Sequence, residues 1–231
     1  MHSSMEAAAP AASRLYDASR RLHYDKPRWR GWAHLVSFEV ALVVGTLVIA
    51  HAHGATSTTA AAIYTGAVAA LFGTSALYHR GRWSPGAAAR LQRLDHLMII
   101  CLIAGTATPA MLICLRGTSR VVELGVLWGL ALLAAVVRLA RMTAPERLVG
   151  TIYVGLGWTA GLAVPAVWMH AGVAPAVLLI VGGLLYTAGA IGYHRRRPDP
   201  SPALFGYHEV FHACVTVAAA CQYVAIACFV L

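Results

Sequence analysis

Three short clusters carry the side chains best suited to chemistry: Ser75 with His79, Asp95 with His96, and His208 with Glu209 and His212. Ser75 and His79 are four residues apart, as are His208 and His212, so on a helix each pair shares one face. Three imidazoles and a carboxylate are the ingredients of a zinc site with three nitrogen ligands and an open fourth position. The string His208-Glu209-Val210-Phe211-His212 also fits H-E-x-x-H, in which the glutamate is the general base of a zinc protease. No acid or histidine follows His212, so a third ligand has to come from upstream, and His79 is the best candidate. That arrangement is unlike a typical zinc protease. Each piece also has a plainer reading: a histidine pair as an interfacial polar patch, Asp95 beside Arg93 as a headgroup-level ion pair, and Ser75 as a packing hydroxyl bonded one turn back.

The elements that must position these groups follow from composition. The 231 residues are 59% apolar and 12% charged, with a mean hydropathy of +0.66. Soluble domains carry about a quarter charged residues, whereas a helix crossing a bilayer needs roughly 20 mostly apolar ones. Apolar runs lie at about 33–52, 60–79, 95–115, 121–138, 149–169, 174–193 and 205–231. The sequence therefore predicts an all-α integral membrane protein, a bundle of seven transmembrane helices over 32–231, preceded by a basic tail over 1–31. Pro109 and Pro165 are expected to kink their spans. A net charge of +9 does not point to nucleic acid, because the basic residues fall in tracts between spans.

Of the 18 basic residues, only Arg116 and Arg120 fall on one side; the tail and the tracts after the second, fourth and sixth spans hold the rest. The charge bias predicts a cytoplasmic N-terminus and an outside C-terminus. The tail reads as retained and not as a cleaved signal. Trp29 and Trp32 read as interfacial anchors, and Ser13 to Trp32 as a stretch along the headgroups.

This orientation brings all three clusters to the cytoplasmic side, within roughly two to three helical turns of the boundary. An aspartate or lysine in a span costs roughly 2.5–3.5 kcal/mol on insertion scales, so such groups need a reason to be there. Glu39 in the first span, near His34, reads as a buried hydrogen-bonding group. Cys214, Cys221 and Cys228 recur every seven residues and suggest one helix face; with Cys101 and Cys114 they read as packing residues without a disulfide framework. A retinal protein needs a lysine in a span, and the only lysine is Lys26 in the tail. A zinc transporter should have polar groups along a path through the bilayer, yet here they crowd at one end, and His51 and His53 face different directions. His2, His23, His170 and His194 read as solvated.

Ser-x-x-x-His at Ser75–His79, Asp-His at Asp95–His96 and His-x-x-x-His at His208–His212, in this order and at helix ends, resemble the hemolysin III proteins. These are the bacterial branch of the progestin and adiponectin receptor family, grouped with alkaline ceramidases as membrane hydrolases. Ala104-Gly105-Thr106, Thr108-Pro109 and Phe205-Gly206-Tyr207 add to the resemblance, which runs from about Lys26 onward. Two positions depart from it: Ala107 stands where an aromatic is common, and Gln222 where bacterial relatives carry a histidine.

The resemblance implies a multi-pass protein of the bacterial plasma membrane, with Zn²⁺ held by His79, His208 and His212 and a water in the fourth position. Asp95 would hold or deprotonate that water, or only orient it, and Ser75 would steady the site or a developing oxyanion. Three functions follow as expectations: a zinc-dependent hydrolase of a lipid amide or ester at the cytoplasmic leaflet; a non-catalytic regulator of membrane lipid composition or fluidity with structural zinc; and a cytolysin. A membrane lipid is the expected substrate or ligand.

Overall fold

In hydrocarbon every backbone polar group needs an internal partner, so apolar runs of this length close their hydrogen bonds within helices. The computed structural model describes residues 15–17, 22–24, 26–140 and 146–231, with side chains for 26–140 and 148–231. A short antiparallel pair, β1 (Leu15–Asp17) and β2 (Leu22–Tyr24), lies ahead of the helices with Tyr16 opposite His23. The helices are α1 (Trp32–His51), α2 (Gly54–Arg80), α3 (Pro85–Cys114), α4 (Gly117–Ala140), α5 (Glu146–Ala160), α6 (Val164–Ala171), α7 (Val173–Arg195) and α8 (Tyr207–Ala225). A π-helical turn, Ile226–Val230, ends the chain. With α5 and α6 counted as one crossing, seven segments among the described residues are long and apolar enough to span a membrane, as the sequence predicts. Most of the stretch from Ser13 to Trp32 lies outside the described side chains.

Helix α3 is central, packing against α2, α4, α5 and α6, and it is buried without interruption from Ala104 to Met111. A helix apolar on all sides belongs inside a bundle. By contrast, α1 and α4 turn Val36, Val40, Val43, Leu132, Leu133 and Val136 outward, where lipid and not water is the matching solvent. The remaining contacts close a ring: α1 packs on α2 and α8, α8 on α7, and α7 on α5.

Several sequence expectations need correction. The third helix starts at Pro85, ten residues before Asp95, because Ser84 caps it by accepting from Ala87 N and Pro85 fits the first turn. Its 30 residues measure about 45 Å, more than the roughly 30 Å of hydrocarbon, so its first turns overhang with Arg90 and Arg93 exposed. The fifth span is interrupted and not just kinked: a 3₁₀ turn, Gly161–Ala163, precedes Pro165, which sits at the start of α6 where its missing N–H costs nothing. At Pro109, α3 runs on as one helix. Glu39 is exposed, because α1 buries the face of His34, Ala41 and Gly45, and Glu39 lies about 140° around the helix from His34. Cys228 lies exposed in the terminal π turn, while Cys214 and Cys221 are part-buried in α8.

Candidate metal centre

His79 is the penultimate residue of α2 and His208 the second of α8, with His212 one turn further on. The overhang of α3 sets Asp95 level with them. Ending α2 at Arg80 and starting α8 at Tyr207 are local effects. Glu209 Oε2 accepts from Gly206 N at 2.8 Å, satisfying a free N–H at the head of α8. Glu209 Oε1 also takes a short hydrogen bond from Arg30 Nε, and both side chains are buried. The carboxylate of the H-E-x-x-H string is thus spent on Arg30 and the helix start, which removes it as a general base.

The three imidazoles converge on their Nε2 edges. His208 Nε2 lies 3.3 Å from His79 Nε2 and 3.0 Å from His212 Nε2, and the ligand atoms of all three fall within 4.8 Å of one another. Neutral imidazole offers one donor and one acceptor, so three Nε2 atoms facing each other cannot all be satisfied by mutual hydrogen bonds. His212 Nδ1 is also buried without a partner among the described residues, so the ring finds little relief elsewhere. A tetrahedral centre with metal–nitrogen distances of about 2.0–2.1 Å holds its nitrogens about 3.3 Å apart, close to the two separations from His208. These residues could hold a metal ion.

Asp95 is buried with Oδ2 at 3.8 Å from His79 Nε2. Ser75, also buried, is within hydrogen-bonding reach of that carboxylate. Ser75, His79, Asp95, His208 and His212 therefore meet at one end of the bundle. His96, by contrast, turns to the other side of α3, where Arg138 Nη2 meets its Nδ1 and Tyr153 donates to its carbonyl at 3.2 Å.

Sequence reasoning missed two participants. His34 of α1 is buried, its Nδ1 lies 2.8 Å from Ser75 Oγ, and its ring stacks on His212 with centroids 3.8 Å apart and planes 9° from parallel. It is thus a fourth imidazole at this depth, and its place two residues after the anchor Trp32 was the available signal. Arg30 was counted only as tail charge, yet it is locked to Glu209. Residues 26–31 form a strap: Arg28 N and Trp29 N donate to Ala203 O and Leu204 O at 3.2 Å, holding the strap to the loop before α8. At its end Gly31 has φ of 78°, and a Cβ there would stand 2.9 Å from His79 Cβ. Glycine is required at this point both by conformation and by space.

Two of the family-like residues of α3 pack helices. Gly105 lets α2 approach, since an added Cβ would lie 2.4 Å from Ala67 Cβ, and Thr108 Oγ1 accepts from Trp128 Nε1 of α4 at 3.2 Å. Ala107 and Gln222 stand about 18 and 15 Å along their helices from Asp95 and His212. His51 bonds back to Leu47 O at the far end, 2.8 Å away.

Residues 22–223 match the family described as Haemolysin-III related. Over 103 residues the chain is 36% identical to the Hemolysin-3 homolog of Bacillus subtilis (strain 168), covering 45% of this chain and 48% of that protein. It is 34% identical over 98 residues to Hemolysin-3 of Bacillus cereus, covering 42% and 45%. The chain spans about half the length of the curated relatives it matches. The family match, in contrast, takes in every residue of the imidazole cluster, the first six apolar segments and most of the seventh. This multi-pass membrane protein belongs to the Haemolysin-III related family.

Proposed function

We propose that the protein is a zinc-dependent hydrolase of a membrane lipid, cleaving an amide or ester bond near the cytoplasmic leaflet. The observation that carries this reading is the convergence of His79, His208 and His212 with the Asp95 carboxylate set against them. Three neutral imidazoles suit zinc, and three protein ligands leave a position open for reaction. When bound there, zinc supplies Lewis acidity that makes water a nucleophile near neutral pH.

The chain's own groups do the rest. Asp95, beside the ligand edge of His79, accepts the proton of the attacking water at its carboxylate and returns it to the leaving group. Ser75 holds Asp95 in place through its hydroxyl, and His34 Nδ1 fixes that hydroxyl in turn. Burial of Asp95, Ser75 and His212 keeps bulk water from screening these contacts.

The test uses purified protein in mixed micelles with a panel of lipid amides and esters. Chelation of zinc or His208→Ala abolishes turnover. Asp95→Asn keeps zinc and lowers turnover by about 10²–10⁴-fold, the usual contribution of general acid–base catalysis. Turnover that survives both zinc removal and His208→Ala defeats the reading. A cellular membrane phenotype preserved in zinc-bound Asp95→Asn points instead to a non-catalytic regulator.

A further inference from the structure

Beside the imidazole cluster, the strap and the end of α2 enclose an open recess of about 230 Å³. That is well over ten times the roughly 10–15 Å³ a single water needs. Five cations line it, Lys26, Arg28 and Arg30 from the strap and Arg80 and Arg82 from the end of α2, and its inner wall is His79. Among the described residues no carboxylate lines it. Arg30 is neutralised by Glu209, but Lys26, Arg28, Arg80 and Arg82 have no ion pair among the described residues.

This differs from a basic surface that merely faces a leaflet. The cations come from two segments and point around one concavity. Its walls are fixed: the strap is bonded to Ala203 and Leu204, Arg30 is locked to Glu209, and the Arg80 guanidinium lies 3.7 Å from the centre of the Trp32 ring. Like charges held this close repel one another. The Lys26 ammonium is accordingly pushed below its ordinary pKa, first by partial desolvation and then by Arg30 and Arg80. An anion seated among them would relieve that repulsion. Guanidinium groups present several N–H donors in a planar fork, which suits an anion with several oxygens better than a single point acceptor.

We propose that this recess binds a phosphate group, presented either by a lipid headgroup or by a soluble phosphate compound, against the His79 side of the imidazole cluster. Binding itself requires no turnover. Only its consequence, that the hydrolysed molecule carries a phosphate about one headgroup from the cleaved bond, rests on the hydrolase reading.

The experiment uses the zinc-loaded full chain in micelles of a maltoside detergent, which carries no phosphate. Inorganic phosphate is titrated by calorimetry, and mixed micelles containing phosphatidylglycerol are compared in parallel. The expected result is saturable binding that Arg28→Gln/Arg82→Gln weakens about tenfold or more, with zinc content and melting temperature unchanged. The charge-matched control is Arg90→Gln/Arg93→Gln on the exposed overhang of α3, which leaves affinity within about twofold. Phosphate binding that phosphatidylglycerol blocks identifies a lipid headgroup as the source. Binding that phosphatidylglycerol leaves untouched identifies a soluble phosphate compound. Absence of saturable binding of either probe overturns the proposal, as does equal weakening by the control pair. Asp95→Asn separates the two readings, since loss of turnover with phosphate affinity retained leaves this site standing whatever becomes of the hydrolase.

Discussion

The His34 imidazole lies flat against His212 while its Nδ1 meets Ser75 Oγ, so one side chain on α1 orients both a candidate ligand and the hydroxyl beside Asp95. Groups that orient metal ligands from behind are commonly worth 10- to 100-fold in metal affinity. His34→Ala should therefore weaken zinc binding by about that factor in competition with a chromophoric chelator. His34→Phe, which keeps a flat ring without the nitrogen, should recover the part due to stacking. Unchanged affinity in both would reduce His34 to packing. The Arg30–Glu209 pair makes a different prediction. Removing one partner of a buried pair leaves an uncompensated charge and costs about 3–5 kcal/mol, whereas replacing both by apolar residues is often nearly neutral. Glu209→Ala should lower the unfolding midpoint strongly, and Arg30→Met/Glu209→Leu should restore much of it, with a residual loss from the uncapped Gly206 N–H. Equal destabilisation by single and double variants would show that the pair matters through shape and not charge. Neither interaction could be read along the chain. His34 and Ser75 are 41 residues apart, and Arg30 and Glu209 are 179 apart, and no periodic pattern encodes which of many polar residues meet.

Helix-scale packing rests on small residues, because lipid gives no hydrophobic drive for one helix to leave it for another. Gly105 shows the consequence at the contact of α2 and α3, where a Cβ would reach 2.4 Å from Ala67 Cβ with the Ile63 carbonyl at 3.5 Å. Backbone and a methyl cannot swing aside as a long side chain can. Gly105→Ala should destabilise by about 1–3 kcal/mol, and Gly105/Ala67 exchanged as Gly105→Ala/Ala67→Gly should lose less. Unfolding in graded detergent mixtures measures both, and a neutral Gly105→Ala would mean that these helices can part freely. The helices themselves were legible as seven apolar runs, since hydropathy reports what lies in hydrocarbon. Their ends were not. The overhang of α3 carries Arg90, Gln92 and Arg93, which score as unfavourable in lipid and drop it out of an apolar run, and it is Ser84 and Pro85 that start it. Hydropathy alone put Asp95 at a span entrance, which the overhang agrees with, but it could not show that the helix itself begins ten residues earlier. The site was legible all the same because Asp95, His79, His208 and His212 are ionisable groups near lipid, a property independent of where each helix begins.

For the molecule as a whole, the end that holds the imidazole cluster also holds the exposed Arg28, Arg80, Arg82, Arg90 and Arg93, whereas Arg116 and Arg120 belong to the opposite end. Arg120 is partly committed even there, its Nε donating at 2.8 Å to Leu115 O where α3 stops. A cation bonded to a helix C-terminus stabilises that terminus and is satisfied locally. From this asymmetry of positive charge we propose, by the positive-inside rule, that the cluster end faces the cytoplasm. In a chain with all five cysteines replaced by serine or alanine, Ser119→Cys should react with a membrane-impermeant maleimide on intact cells. Ser84→Cys should react only after permeabilisation. The reverse pattern would invert the molecule and move the imidazole cluster to the outer leaflet. Its geometry would be untouched, but its access would change, because the recess at Arg28 and Arg82 would then open away from the cytoplasm. Orientation therefore decides which pool of lipid or soluble phosphate the site can meet, and this labelling has to precede any choice of substrate panel.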